Sequence, residues 1–197
     1  MNMSLVLGVG GNSYSGDLNV QPANPQMNIT IGVDSYLEDR LFIRGSLNYG
    51  LVEGNYEPGD VIVDPTDKGP DFVLTNYFTS QILTVETQAM FAFINGGLLA
   101  INGGVGIGAM YFDPRDRNGK KLIDNPNSRI SSEEYSPIVA YSPITLSIVL
   151  FNDRKVNVMF ENTWMLTNSD YIDNIGYAGD GGSDFIVRQS FLLRYHF

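Results

Sequence analysis

The last thirteen residues, 185–197, constrain the fold more than any other stretch. Apolar side chains fill nearly every odd position, and the face that they form ends in aromatic residues. The even positions hold both arginines and the only histidine of the segment. A period of two over this length indicates an extended strand, because successive side chains point to opposite sides of the backbone. One face therefore suits an apolar environment, and the other carries charge.

The same alternation recurs in seven further segments, which gives eight strands in all. These segments begin near residues 1, 27, 41, 83, 99, 138 and 156. Tight turns at 37–40, 94–97 and 152–155 alternate with long polar connections at 12–26, 52–77, 112–136 and 167–184. Asn95-Gly96 indicates a hairpin with a type I′ turn, in which both central residues need positive φ. Pro143 cannot donate to a ladder, so we expect a bulge there or a later start of that strand.

Composition favours strands over helices as the membrane-crossing element. The apolar runs are only a few residues long, far short of the roughly 20 that a transmembrane helix needs. Alternating strands average to moderate hydrophobicity, here 43% hydrophobic residues, while 11 Tyr and 11 Phe suit interfacial girdles. The sequence thus predicts one domain, 1–197: an all-β, eight-stranded antiparallel up-and-down transmembrane β-barrel with short periplasmic turns and long extracellular loops.

This fold sets the expected location of the chain. It belongs in the outer membrane of a Gram-negative bacterium, in contact with outer-membrane lipids, with the N- and C-termini periplasmic. Tyr195 and Phe197 read as a C-terminal barrel-assembly signal. Met1 starts directly in the alternating pattern with no signal peptide before it, so we expect a mature or trimmed form of an exported protein.

Several charged residues fall on the inward face. They comprise Arg44, Glu86, Glu161, Arg188 and Arg194, with Asp34 as a further candidate. Eight strands enclose a lumen just wide enough for side chains to fill, and buried charges need partners. We therefore expect a plugged lumen rather than a selectivity filter, with Arg188 and Arg194 paired to Glu86 and Glu161.

Other chemistries find little support in the sequence. A net charge of −10 disfavours nucleic acid, and the absence of cysteine excludes thiolate metal sites. His196 has no second histidine to complete a catalytic arrangement, so a structural role is expected. The acidic residues Asp64, Asp67 and Asp71 do not match a calcium loop. We expect no cofactor, no metal and no enzymatic activity. The glycines of 103–108 lack a following helix, so they are expected to make room for large side chains opposite, such as the arginines, rather than to bind a nucleotide.

Three short motifs, together with Asn118-Gly119-Lys120, carry a resemblance to a known family. Tyr14-Ser15-Gly16-Asp17-Leu18 follows the first strand, and Tyr111-Phe112-Asp113-Pro114 ends the glycine-rich strand. The third motif, Thr167-Asn168-Ser169-Asp170-Tyr171-Ile172-Asp173, follows the seventh strand. In this order and spacing they resemble the PorG-like family of outer-membrane barrels of Bacteroidota. The lead into the fourth strand, Asn76-Tyr77-Phe78-Thr79-Ser80, departs from the family pattern.

The resemblance implies a non-enzymatic anchoring or assembly subunit of the type IX protein secretion and gliding machinery, with periplasmic or outer-membrane protein partners. Its motif residues here are Tyr14, Gly16, Asp17, Phe112, Pro114, Asp170, Tyr171 and Asp173. A free-standing structural or adhesive barrel of the OmpA or OmpX type is the main alternative. A narrow pore and a soluble lipocalin-like barrel, which would have the opposite distribution of polar and apolar faces, also stay open.

Overall fold

The chain forms a closed antiparallel barrel of eight strands, as the sequence predicts. A computed structural model describes residues 3–16, 24–55, 77–124, 136–169, 172–173 and 184–197. Each strand pairs with its neighbours in chain order, and β1 closes the barrel against β8. The strands are β1 Met3–Ser15, β2 Gln26–Tyr36, β3 Leu41–Asn55, β4 Tyr77–Asn95, β5 Leu99–Arg115, β6 Ile138–Leu150, β7 Val156–Thr167 and β8 Phe185–His196. Within the described ranges, no helix is long and apolar enough to cross a membrane.

Short and long connections lie at opposite ends of the barrel. The tight turns 37–40, 96–98 and 151–155 share one end with both chain termini, and we call this the turn end. The four longer connections lie at the other end, the loop end. β4 begins at Tyr77, six residues before the start near 83 that the alternation indicates, because residues 77–82 continue the ladder with β3 and, from Thr79, also with β5.

The two faces of the sheet differ sharply in character. Outward side chains are apolar and exposed, with Ile107 at 75%, Phe191 at 65% and Val9 at 62% relative exposure. Inward side chains include every charged residue of the predicted lumen set, all of them buried. An apolar exterior around a polar interior is the arrangement of a transmembrane barrel and the reverse of a lipocalin-like one.

Pro143 lies within β6 without a bulge, so the expected distortion is wrong. The β5–β6 pairs run to Val105–Ile144 and resume at Gly108–Tyr141 in the same register. On its other side Pro143 pairs normally with Met165 of β7. The missing N–H therefore costs the strand a donor toward β5 without shifting its register.

The turn after β4 also differs from expectation. Asn95 and Gly96 connect a hairpin, but neither has positive φ, so the type I′ geometry is wrong. A register shift between Ala92 and Ile94 supplies the bend instead. Nearby turns also hold this one, since Asn152 Nδ2 donates to Asn95 Oδ1 (3.0 Å) and to the carbonyl of Gly96 (3.3 Å).

The inward glycines of β5 do make room for large side chains, although these are not the arginines. A Cβ at Gly104 would meet the Met90 sulfur, and one at Gly108 would meet the Tyr141 ring.

Candidate functional site

Six charged side chains form a neutral network inside the barrel. Three are arginines (Arg44, Arg188, Arg194) and three are acids (Asp34, Glu86, Glu161), and none is more than 4% exposed. Buried charges are tolerated only when paired and hydrogen-bonded. Because this set holds three positive and three negative side chains, each charge can have a partner of opposite sign.

Arg44 is the centre of the first half of the network. Its Nε lies 2.7 Å from Asp34 Oδ1, and its Nη2 lies 3.0 Å from Asp34 Oδ2, which is a bidentate arrangement. Its Nη1 donates to Glu161 Oε2. Arg194 Nε lies 2.8 Å from Asp34 Oδ2. Asp34 thus holds two arginines, and Arg44 holds two acids.

Glu86 organises the second half of the network. Its Oε1 accepts from Arg188 Nη2 (2.5 Å), Ser46 Oγ (2.9 Å) and Gln88 Nε2 (3.0 Å). Its Oε2 accepts from the Tyr141 hydroxyl at 2.5 Å. Four donors around one carboxylate use its full acceptor capacity, which fixes its position in the lumen.

The pairing differs in part from the expectation. Arg188 pairs with Glu86, as expected, but Arg194 pairs with Asp34, and Glu161 pairs with Arg44. In the closed order β1 to β8, three strands separate β3 from β7 on either side, and the same is true of β4 and β8. The Arg44–Glu161 and Glu86–Arg188 pairs therefore reach across the barrel, whereas the sequence pattern orders residues only along each strand.

Apolar side chains lie beyond this network toward both ends. The larger cluster, toward the loop end, includes Tyr14, Phe78, Phe112 and Met165, and the smaller cluster includes Val6, Val149 and Met159. Tyr14 and Phe78 pack edge to face at 4.9 Å. Side chains thus fill the barrel at the level of the charges, consistent with the limited bore of eight strands.

Residues of the first and third sequence motifs meet at the loop end. The Tyr14 hydroxyl lies 2.9 Å from Asp173 Oδ2 and 2.5 Å from Asp184 Oδ1, and all three side chains are buried. Asp184 Oδ2 also accepts the backbone N–H of Ile172 (2.9 Å). A Cβ at Gly16 would meet both the Tyr14 hydroxyl and Asp184, so this approach requires glycine. Tyr14 thus joins the end of β1 to the segment before β8.

The other motif residues are placed as follows. Phe112 is fully buried in the loop-end cluster, and Pro114 pairs with Ser80 of β4. Asp17, Asp170 and Tyr171 lie outside the described residues, as do Asp64, Asp67 and Asp71.

Sequence reasoning did not identify two of these residues: Tyr141, which donates to Glu86, and Asp184, which accepts from Tyr14. Tyr141 lies opposite the apolar positions of its segment, and Asp184 directly precedes the last alternating strand, so their positions along the chain did carry a hint.

The three tight turns form a connected surface at the turn end. Asn95 Nδ2 donates to the carbonyl of Asp39 (3.1 Å), and Asn152 bonds the β4–β5 turn as described above. Apolar side chains project from these turns, with Leu98 70%, Leu37 56% and Phe151 45% exposed. This turn-end face combines a braced backbone with exposed apolar groups.

His196 ties the end of β8 to both neighbouring strands. Its Nε2 lies 2.7 Å from Asn157 Oδ1, and its Nδ1 lies 2.7 Å from Ser4 Oγ. Because the Asn157 amide nitrogen donates to two carbonyls, its oxygen faces the ring, and Nε2 must carry the proton. Nδ1 then accepts from Ser4. Because both ring nitrogens are hydrogen-bonded, His196 has a structural role. Tyr195 and Phe197 lie beside it with exposed aromatic rings, and their role in barrel assembly stays a prediction.

No metal-binding cluster occurs in the described part of the chain, where no three His, Asp or Glu side chains converge suitably.

The similarity of this chain to known proteins lies in its fold. No family model matches the sequence, and no curated protein matches it significantly. Neisserial surface protein A superposes with a TM-score of 0.59 at 10% identity, covering 99% of this chain and 97% of that one. Ail, the attachment invasion locus protein of Yersinia pestis, gives 0.56 at 8% identity, covering 100% and 98%. A second Ail structure, in complex with the heparin analogue sucrose octasulfate, gives 0.55 at 8% identity. At this identity the similarity establishes the fold, which is that of eight-stranded outer-membrane barrels.

Proposed function

We propose that this protein is a non-enzymatic barrel of a Gram-negative outer membrane that anchors and helps assemble a multi-protein envelope machine, of the type IX secretion kind. Under this proposal the turn end, with both termini, faces the periplasm and binds a periplasmic or outer-membrane protein. The observation that carries the proposal is the turn-end face, on which Leu37, Leu98 and Phe151 are exposed around turns braced by Asn95 and Asn152. Exposed apolar side chains on hydrogen-bonded turns suit a partner protein.

Two further observations support this role. The resemblance to PorG-like barrels rests on motifs whose described residues Tyr14, Gly16 and Asp173 lie together in space, although 159 residues separate Tyr14 from Asp173 in sequence. The buried ion network leaves the lumen filled at its level, which suits an anchor better than a conduit for secreted substrate.

Affinity purification from the native envelope tests the proposal. The wild-type protein should bring down periplasmic or outer-membrane partners, and the double variant Leu37→Asp/Leu98→Asp should lose them. Lys120→Asp, at an exposed loop-end position, is the matched control and should retain them. A clean monomer recovered from native membranes under mild solubilisation would refute the anchor role.

A free-standing barrel with ligand-binding surface loops is the second candidate. The fold likeness to Ail and to Neisserial surface protein A favours it. In this chain, however, segment 56–76 holds five acids and one lysine, so a polysulfated ligand such as the sucrose octasulfate bound by Ail would meet repulsion. Replacing that segment with a short glycine-serine linker should abolish surface binding if this candidate is right. It should leave partner recovery unchanged if the turn end anchors a machine.

A further inference from the structure

A groove of about 660 Å³ runs along the outer wall across β4 to β7. It is floored by neighbouring small residues: Ala109 of β5 lies opposite Ala140 of β6. Bulky side chains border it, with Ile107 on one side and Leu166 at its β7 edge. An acyl chain could lie over the two alanines without displacing any side chain.

The groove includes hydrogen-bonding groups in an otherwise apolar belt. Ser142 and Thr87 both point outward and are exposed, so their hydroxyls face the surrounding lipid. The β5–β6 ladder is interrupted beside Ser142, because Pro143 has no N–H to donate toward Gly106 of β5. A backbone carbonyl without a donor is strongly disfavoured in a hydrocarbon environment, so a donor from outside would be favoured here.

The depth of this polar group limits its partner. Tyr111 and Tyr49 lie in one row across the sheet, joined through Leu83, and mark the aromatic margin on the loop side. Gly106 lies five residues below Tyr111 on β5. At about 3.4 Å per residue and a strand tilt of about 40°, this is roughly 13 Å beneath the margin, within the hydrocarbon band. Headgroup donors do not reach that depth.

The groove is closed toward the lumen. The Tyr141 ring packs so tightly on Gly108 that a Cβ there would meet it, and the Tyr141 hydroxyl is bonded to Glu86. A ligand must therefore enter from the membrane side.

We propose that this groove is a binding site for an acyl chain that carries a hydroxyl group. The chain lies over Ala109 and Ala140, and its hydroxyl bonds Ser142 and, next to the groove, the carbonyl of Gly106 that Pro143 leaves without a donor. The proposal depends on the lipid-facing exterior of the barrel and is independent of the anchoring role.

Photolabelling with a diazirine-bearing stearate in phosphatidylcholine vesicles tests the site. Label should concentrate on β5 and β6, as mapped by digestion and mass spectrometry. A hydroxystearate of the same chain length should compete about fivefold better than stearate, the ratio expected for one net hydrogen bond. The variant Ser142→Ala should reduce this preference while retaining the label.

Filling the groove provides a second readout. Ala109→Leu/Ala140→Leu should remove the label from β5 and β6, whereas Ala89→Leu, an outward position on β4 beyond the groove, should not. Heat-dependent gel mobility confirms that each variant is folded. Label spread evenly around the barrel, or equal competition by the two fatty acids in the wild type, would overturn the proposal. So would a protein dimer cross-linked through β5 and β6, which would make this face a protein interface.

Discussion

Replacing Arg44 by methionine should be among the most destabilising single changes in this barrel. Arg44 is 2% exposed, and it binds Asp34 through two nitrogens and Glu161 through a third. Without it Asp34 keeps Arg194, but Glu161 loses the only cation that pairs with it among the described residues. Removing one partner of a buried ion pair typically costs about 3–5 kcal/mol, because the other charge stays buried and uncompensated.

Equilibrium urea unfolding in lipid vesicles measures this cost. Trp164, the only tryptophan, lies outward on β7 and reports unfolding by its fluorescence. Arg44→Met/Glu161→Gln should be about 2 kcal/mol more stable than Arg44→Met alone, since the stranded carboxylate is removed. Arg154→Met removes a side chain that is 76% exposed and 3.9 Å from Asp153, so it should change stability by less than about 1 kcal/mol. If Arg44→Met also cost less than 1 kcal/mol, or if the second substitution gave no recovery, the network would not act as described.

Three further changes test other parts of the structure. Tyr14→Phe keeps the ring contact with Phe78 but removes the hydroxyl shared by two aspartates, and it should lower the free energy of unfolding by about 1–3 kcal/mol. Limited proteolysis should then cut faster after Ser169, and unchanged cleavage would contradict the bracing role of the hydroxyl. His196→Phe should cost about 1–3 kcal/mol in the same unfolding assay, because Ser4 and Asn157 lose their ring partner. In planar bilayers the wild-type protein should give no steady single-channel current, and a stable conductance would contradict a filled lumen.

The alternation of residues predicted the strands and their faces well. Period two assigns each side chain to one side of the sheet without knowledge of its neighbours, so Arg44, Glu86, Glu161, Arg188 and Arg194 could all be placed inside. The closed barrel then follows, because eight such strands must bury their polar edges.

The pattern could not give contacts across the lumen or the ends of the strands. Which acid meets Arg194 depends on the stagger of the closed sheet, and Asp34 was only a candidate before that geometry was known. Residues 77–82 at the start of β4 have no outward series of aliphatic side chains. Their backbone nevertheless pairs with β3 and, from Thr79, also with β5. The turn at Asn95 depends on a nearby register shift and on a neighbouring turn, which outweigh the local preference of Asn-Gly.

The two ion pairs that cross the barrel also affect the order of folding. Arg44 and Glu161 are 117 residues apart in sequence, and Glu86 and Arg188 are 102 apart. These contacts can form only when β1 meets β8, so they are absent from any sheet that is still open, whose charges would stay hydrated. Interactions made after the main folding barrier slow unfolding without accelerating folding. The crossing pairs should therefore make the inserted barrel long-lived, and once it has closed, its seam should reopen only when both pairs break together.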